Sequence, residues 1–223
     1  MRVYLTPSFQ KWYAKPMYIP AHFLQQDVRA ALELIEAQPF GMLLSVADGT
    51  PMISHIPFTI ARREPELVLT AHVAKANPHW RTLAGAHVTA VFRGAHGYIS
   101  PRWYADPKRD VPTWNYEVVH CSGTVSIAPD SEKIVVLKQL VDAMEAGTPQ
   151  PWSVDELDTQ YRGGLERGIV ALYLRVDQLE AKFKLGQNRA AADHAGALAG
   201  LRATAREGDR ELADEMDRWY PLA

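Results

Sequence analysis

Two period-two runs joined by Asp48-Gly49 constrain this chain more than any other feature. Met42-Leu43-Leu44-Ser45-Val46 reads as a strand, Asp48-Gly49 as a hairpin turn, and Met52 to Ile60 as the return strand. So short a connection joins antiparallel neighbours, and the sheet built around it is antiparallel. In the return strand Ile56, Phe58 and Ile60 share one face and His55, Pro57 and Thr59 the other. A third run, Leu67 to Val73, sets Leu67, Leu69, Ala71 and Val73 against Val68, Thr70 and His72, so His55 and His72 are expected to line a common polar surface.

The flanking segments read as helices and further strands. Asp27 caps a helix carrying Val28, Ala31, Leu32 and Ile35 on one face, and Pro39 stops it. Asn77-Pro78 supplies an N-cap and an N1 proline for a short helix through Trp80 and Leu83. Val88 to Phe92 and Tyr98 to Ser100 predict two more strands, and Trp114 to Ile127 a long one. Asp130 to Met144 is helical, with Ile134, Leu137, Val141 and Met144 on one stripe. Ser153 and Glu156 form a capping box for a helix through Leu157 and Tyr161, whose end is loosened by Gly163-Gly164. Ile169 to Val176 is a strand, and Ala181, Phe183 and Leu185 alternate with Lys182 and Lys184 in a final strand with a basic face. Two helices follow around Gly208, the second expected to dock through Leu212, Met216 and Trp219. The fold class is therefore mainly antiparallel β with flanking α-helices, of α+β character. No repeat or linker divides residues 17–223, which are expected to form a single domain after an N-terminal extension of residues 1–16.

Composition excludes several classes. The 223 residues are 47% hydrophobic, enough for a core without staples. The single cysteine, Cys121, leaves no internal disulfide and no cysteine zinc site, which fits the reducing cytoplasm, and inside an apolar strand it reads as an inert buried thiol. Pro7, Gln10, Lys11 and Lys15 interrupt the apolar run that a secretory signal requires, and no membrane span is expected. A net charge of −2 gives no general attraction to polyanions, so nucleic-acid binding would need a local basic patch. The C-terminal helix pair offers none, because its second helix carries Asp209, Glu211, Asp214, Glu215 and Asp217. Nucleophile-elbow, P-loop and dinucleotide-fingerprint motifs are absent, and none of the eight histidines has a spacing that places two metal ligands on one helical face.

Three segments are candidate binding elements. Ala71 to Trp80 brings a strand end, Lys75 and a helix start at Asn77 together, which suits a phosphate equally with a solvated surface turn. Lys182 to Arg189 packs Lys182, Lys184, Arg189 and the amide of Asn188 near a strand end, where the alternative is an edge strand guarded by lysines. Tyr98 to Tyr104, including Trp103, and Thr113-Trp114-Asn115-Tyr116 concentrate rings and an amide suited to a flat ring system, or to a subunit interface.

Taken with Met17 to Phe23, Ser54-His55-Ile56-Pro57, Pro112 to Tyr116 and Val119-His120, these segments make the chain resemble the PaiB family, often labelled FMN-binding negative transcriptional regulators. The resemblance implies an FMN-binding split β-barrel and a homodimer with cofactor sites at the subunit interface. The cofactor-binding candidates are His55, Thr70, His72, Lys75, Asn77, Trp103, Trp114, Asn115, Lys182, Lys184, Asn188 and Arg189, and the resemblance strengthens those of the two basic segments, Lys75, Asn77, Lys182, Lys184, Asn188 and Arg189, as contacts to a cofactor phosphate or propionate on grounds of charge and position. It implies FMN as cofactor and a flavin-dependent oxidoreductase or regulator as function. The same resemblance extends to haem enzymes of the piperazate-synthase type, in which haem b would take His55 or His72 as axial ligand.

Overall fold

The structure is a computed structural model and describes residues 17–63 and 66–221. The expected extension of residues 1–16 lies outside the described residues. Six strands, β1 (Phe40–Ala47), β2 (Thr50–Arg63), β3 (Glu66–Ala74), β4 (His87–Ile99), β5 (Thr113–Ile127) and β6 (Ile169–Lys184), close a barrel in the order β1-β2-β3-β6-β5-β4. Five helices accompany them: α1 (Val28–Ala37), α2 (Lys133–Glu145), α3 (Thr159–Arg167), α4 (Ala191–Ala203) and α5 (Asp209–Trp219). The chain divides into two compact units. Unit one holds Glu36–Phe92 and His120–Leu179, and unit two the described residues up to Ile35, Arg93–Val119 and those from Glu180 onward.

Unit one contains the β1-β2 hairpin and the strands paired with it. The hairpin turns at Asp48 (φ 51°) and Gly49 (φ 75°), the left-handed pair that a tight right-twisted hairpin requires, and Ala47 pairs with Thr50. β2 continues against β3 with Thr59 opposite Thr70, and β3 against β6 with Thr70 opposite Tyr173 and His72 opposite Ala171. Alternation then sorts the side chains. Leu43, Ser54, Ile56 and Phe58 are buried, as are Leu69, Ala71 and Val73, whereas Phe40, Met42, Val46 and Ile53 are exposed. β5 approaches β6 so closely that a Cβ at Gly123 would lie 2.0 Å from the Arg175 carbonyl oxygen, which accounts for glycine there. α2 is pinned by Val136, which packs with Ala128 and Ala171 while Tyr173 donates from its hydroxyl to Glu132.

In unit two, α4 lies against the turn Pro101–Trp103. A side chain at Gly200 would meet the Trp103 indole at 2.2 Å, so α4 carries glycine where the ring sits. α5 buries Leu212, Ala213 and Met216 completely, as its apolar stripe predicts.

Several boundaries differ from expectation. The two strands predicted from 88 to 100 are one strand, β4, whose Gly94 and Gly97 lie within it and give room to Leu34 and to Leu212. The two predicted from 169 to 185 are likewise one, β6. The Ser153–Glu156 capping box is present but starts only a single 3-10 turn, Val154–Glu156; α3 is capped separately by Asp158, and Gly163-Gly164 lies inside it. The segment after Asn77 is also a 3-10 turn, Pro78–Thr82.

Candidate functional site

Of the twelve candidates, His55, Thr70, His72, Lys75 and Asn77 fall in unit one, and Trp103, Trp114, Asn115, Lys182, Lys184, Asn188 and Arg189 in unit two.

In unit one the side chains of Thr70 and Asn77 are engaged in structural hydrogen bonds, whereas Lys75 and His55 are exposed. Thr70 is 1% exposed and its hydroxyl bonds Thr59. Asn77 accepts from the His79 backbone N–H and donates to Ser54 Oγ at 3.0 Å. Lys75 is exposed, its backbone N–H donating to Gly168 and its carbonyl accepting from Trp80 Nε1. His55 is exposed beside the Phe40 ring, while His72 is half-buried, its Nδ1 without a partner among the described residues and its pKa lowered by burial. The expectation of a common face agrees with strand parity, since His55 and Thr59 share a face of β2 and Thr59 pairs with Thr70, but His55 is exposed whereas His72 is only partly so.

Sequence reasoning missed the polar centre of this unit. His79, 1% exposed, bonds Ser45 Oγ through Nε2 at 2.9 Å and Ser54 Oγ through Nδ1 at 2.8 Å. Burial holds its pKa below the usual value, so the ring is neutral, one nitrogen donating and the other accepting. The only sequence signal was inward-pointing serines at Ser45 and Ser54 within apolar alternation.

In unit two, strand alternation separates two faces. Phe183 stacks edge-on against Trp219, Asn115 donates to Met216 Sδ at 3.5 Å, and a Cβ at Gly97 would meet Leu212, so this face is covered by α5. The opposite parity holds His96 and Tyr98 on β4, Trp114 and Tyr116 on β5, and Lys182 and Lys184 on β6. Trp114 is 48% exposed, stacks on His96 at 6.0 Å and meets Tyr98 edge-on. Lys182 is 8% exposed, donates to the Tyr18 carbonyl at 3.0 Å, and lies 5.5 Å from the Tyr18 ring and 5.3 Å from the Tyr116 ring. Lys184 donates to Thr113 Oγ1 at 2.6 Å and to the Trp114 carbonyl, beneath the Phe23 ring. Burial, then Arg189 and Lys182, lowers its pKa. Among the described residues neither ammonium has a carboxylate within ion-pair distance.

The remaining unit-two candidates are placed otherwise. Arg189 pairs with Asp110 and stacks over Tyr104 at 4.5 Å, clamping the loop that follows Trp103. Asn115 is 3% exposed beneath α5. Trp103 packs under α4, and Asn188 is exposed. Lys182, Lys184 and Trp114 are thus the candidates that converge, joined by Tyr116, Tyr18, Phe23 and His96.

Among the described residues no group of three or more His, Cys, Asp or Glu side chains could hold a metal ion, and no helix is long and apolar enough to cross a membrane.

A closed antiparallel six-stranded barrel with peripheral helices places the molecule among the split-barrel proteins. Solved structures agree in fold: a FAD- and haem-binding protein from Mycobacterium smegmatis (22% identity, TM-score 0.57, covering 72% of this chain and 73% of that one) and the flavocytochrome Anf3 from Azotobacter vinelandii (13% identity, TM-score 0.58, 76% and 74%). The family model described as "Putative FMN-binding domain" matches residues 17–178, and the chain belongs to this family. The Protease synthase and sporulation protein PAI 2 of Bacillus subtilis (strain 168), the PaiB of that organism, is 29% identical over 202 residues, spanning 90% of this chain and 97% of its own.

Proposed function

We propose that this protein is a PaiB-like homodimeric flavoprotein that holds FMN on the ring-and-lysine face of unit two. The observation that carries the reading is the pair of ammonium groups, Lys182 and Lys184, set among rings with no carboxylate partner among the described residues. A buried cation without a counter-ion is costly in an empty protein, and an anionic ligand group relieves that cost. The donor set fits FMN. Its phosphate suits the two ammonium groups, and Trp114, Tyr116 and His96 offer flat surfaces for the ring system.

When bound, FMN supplies one- and two-electron redox chemistry, and the protein supplies orientation and electrostatics. Lys184 is steered by Thr113 and the Trp114 carbonyl, so its charge is aimed rather than free to wander. Trp114 and Tyr18 are open on the side away from α5, at 48% and 81% exposure, so one chain covers a flat ligand from one side only. A second copy supplies the other wall. In unit one, the hairpin offers an apolar outer surface suited to self-association: Phe40 and Val46 on β1, beside Pro57 and Pro51 of β2, and Ile53 opposite Leu44. The inert buried thiol of Cys121, its pKa pushed up to about 12 by burial, is compatible with a cytoplasmic setting.

The test is direct. Protein purified without reconstitution is examined by absorbance, titrated with FMN by fluorescence quenching, and sized by sedimentation. Saturable FMN binding to a dimer, weakened in Lys182→Met and Lys184→Met, supports the reading. Absence of FMN binding overturns it, and a Soret band lost in His72→Ala or His55→Ala would establish haem b instead. Direct DNA binding by α5 is not favoured, since Asp214 and Asp217 pair with Arg202 on a helix whose apolar residues are buried.

A further inference from the structure

Glu117 is a buried carboxyl with no part in the ligand face. It lies on β5 with the parity of Asn115, opposite Trp114 and Tyr116, and is 4% exposed. It packs so tightly on β4 that a Cβ at Gly94 would lie 2.7 Å from its Oε2 and 2.9 Å from Leu34 of α1. The Ala95 backbone N–H bonds it.

α5 covers this face through Leu212 and Met216, and begins at Gly208, whose φ of +81° marks the turn by which the chain leaves α4. The charged groups acting on Glu117 come from α5, and the elements beside it carry further charges. α5 contributes Glu211, Glu215 and Arg218, and Tyr220 follows with its hydroxyl bonded to Gln187. α1 contributes Glu33, which holds Arg218 at 2.7 Å, while Glu215 takes the same guanidinium at 3.5 Å. On β4, His96 lies with the opposite parity, stacked on Trp114, where it feels Arg93 and Glu211. Arg218, the guanidinium that acts on Glu117 among the described residues, is thus shared between two other carboxylates, so an ionised Glu117 would face Glu211 and Glu215 poorly compensated.

We propose that Glu117 is a protonation-controlled latch, holding α5 against β5 when neutral and loosening it about Gly208 when ionised. Burial and then Glu215 push the carboxyl up to about 7 from its ordinary 4.5. The docked state therefore binds more protons than the undocked state between these values, and docking weakens as pH rises through that window. Over the upper part, from about pH 6 to about pH 8.5, linkage gives a fall of about tenfold in the docking equilibrium.

Hydrogen–deuterium exchange on the full chain, corrected for intrinsic rates, tests this. Amides of Leu212 to Trp219 should lose protection about tenfold across that range while those of α4 do not, and Glu117→Gln should keep its acid-side protection at the alkaline end. Unchanged α5 protection in the wild type, or the same loss in Glu117→Gln, overturns the latch. Should Glu117→Gln fold poorly by circular dichroism, Glu215→Gln serves, because losing that neighbouring charge moves the transition to lower pH. An unmoved transition then refutes the proposal.

Discussion

Replacing Lys182 by Met separates the cost of a buried charge from its use. In the unliganded chain the ammonium carries an effective desolvation penalty of several kcal/mol. Against this stand one charge-assisted hydrogen bond to Tyr18, worth about 1.5–3 kcal/mol, and contacts with the Tyr18 and Tyr116 rings, worth about 0.5–2 kcal/mol each. The terms nearly cancel, and Met refills the aliphatic volume without charge. Lys182→Met should therefore leave unliganded stability within about 1 kcal/mol of wild type, a melting shift within about 4 °C. With the anionic ligand present the balance changes. Loss of one charge-assisted contact of about 1.5–3 kcal/mol weakens FMN binding by roughly ten- to a hundredfold. Thermal melts by circular dichroism with and without FMN, together with a fluorescence titration, measure both quantities. A variant that melts about 10 °C lower, or binds FMN within about twofold of wild type, would refute the reasoning.

Three further outcomes follow from the packing. Gly123→Ala puts a methyl 2.0 Å from the Arg175 carbonyl oxygen, backbone against backbone, so it should cost upwards of about 3 kcal/mol and reduce the yield of folded protein, read by soluble expression and melting. His79→Ala strands the buried Ser45 hydroxyl, deprives Ser54 of one partner and opens a cavity, a loss of about 3–5 kcal/mol by urea denaturation; a loss under about 1 kcal/mol would show that the serines find other partners. Glu117→Gln removes a carboxyl whose folded pKa of about 7 lies above its ordinary value, so relative to wild type it should stabilise the protein by about 3 kcal/mol near pH 8.5 and by little below about pH 4.5, a divergence visible in melting curves against pH.

Local chemistry made much of the fold legible. The Asp48-Gly49 turn, the alternation around Ile56 and Phe58, the Asn77 cap and the stripe of Leu212 and Met216 each depend on residues a few positions apart. What stayed hidden depends on distance along the chain. Gly94 and Gly97 looked like interruptions because the residues needing that space, Leu34 and Leu212, are remote in sequence. Arg189 read as a free cation until Asp110, 79 residues away, was placed beside it. The role of His79 required serines 34 and 25 residues distant. Glu117 carries no local mark, because its character comes from burial and from carboxylates on a helix near the other end of the chain. For Lys182 and Lys184, alternation identified the face, and only the structure supplied Tyr18, Phe23 and Tyr116 around it.

The last stretch of β6 serves two masters with one backbone: odd-numbered Ala181, Phe183 and Leu185 are buried at 1% exposure or less, while even-numbered Lys182 and Lys184 meet the rings. Point changes can drift there one position at a time. A single inserted or deleted residue cannot, since it would send two lysines inward and a phenylalanine outward in one step. Natural variation in this segment should therefore appear as exchanges at constant length, with gaps confined to the turns beyond Gly186.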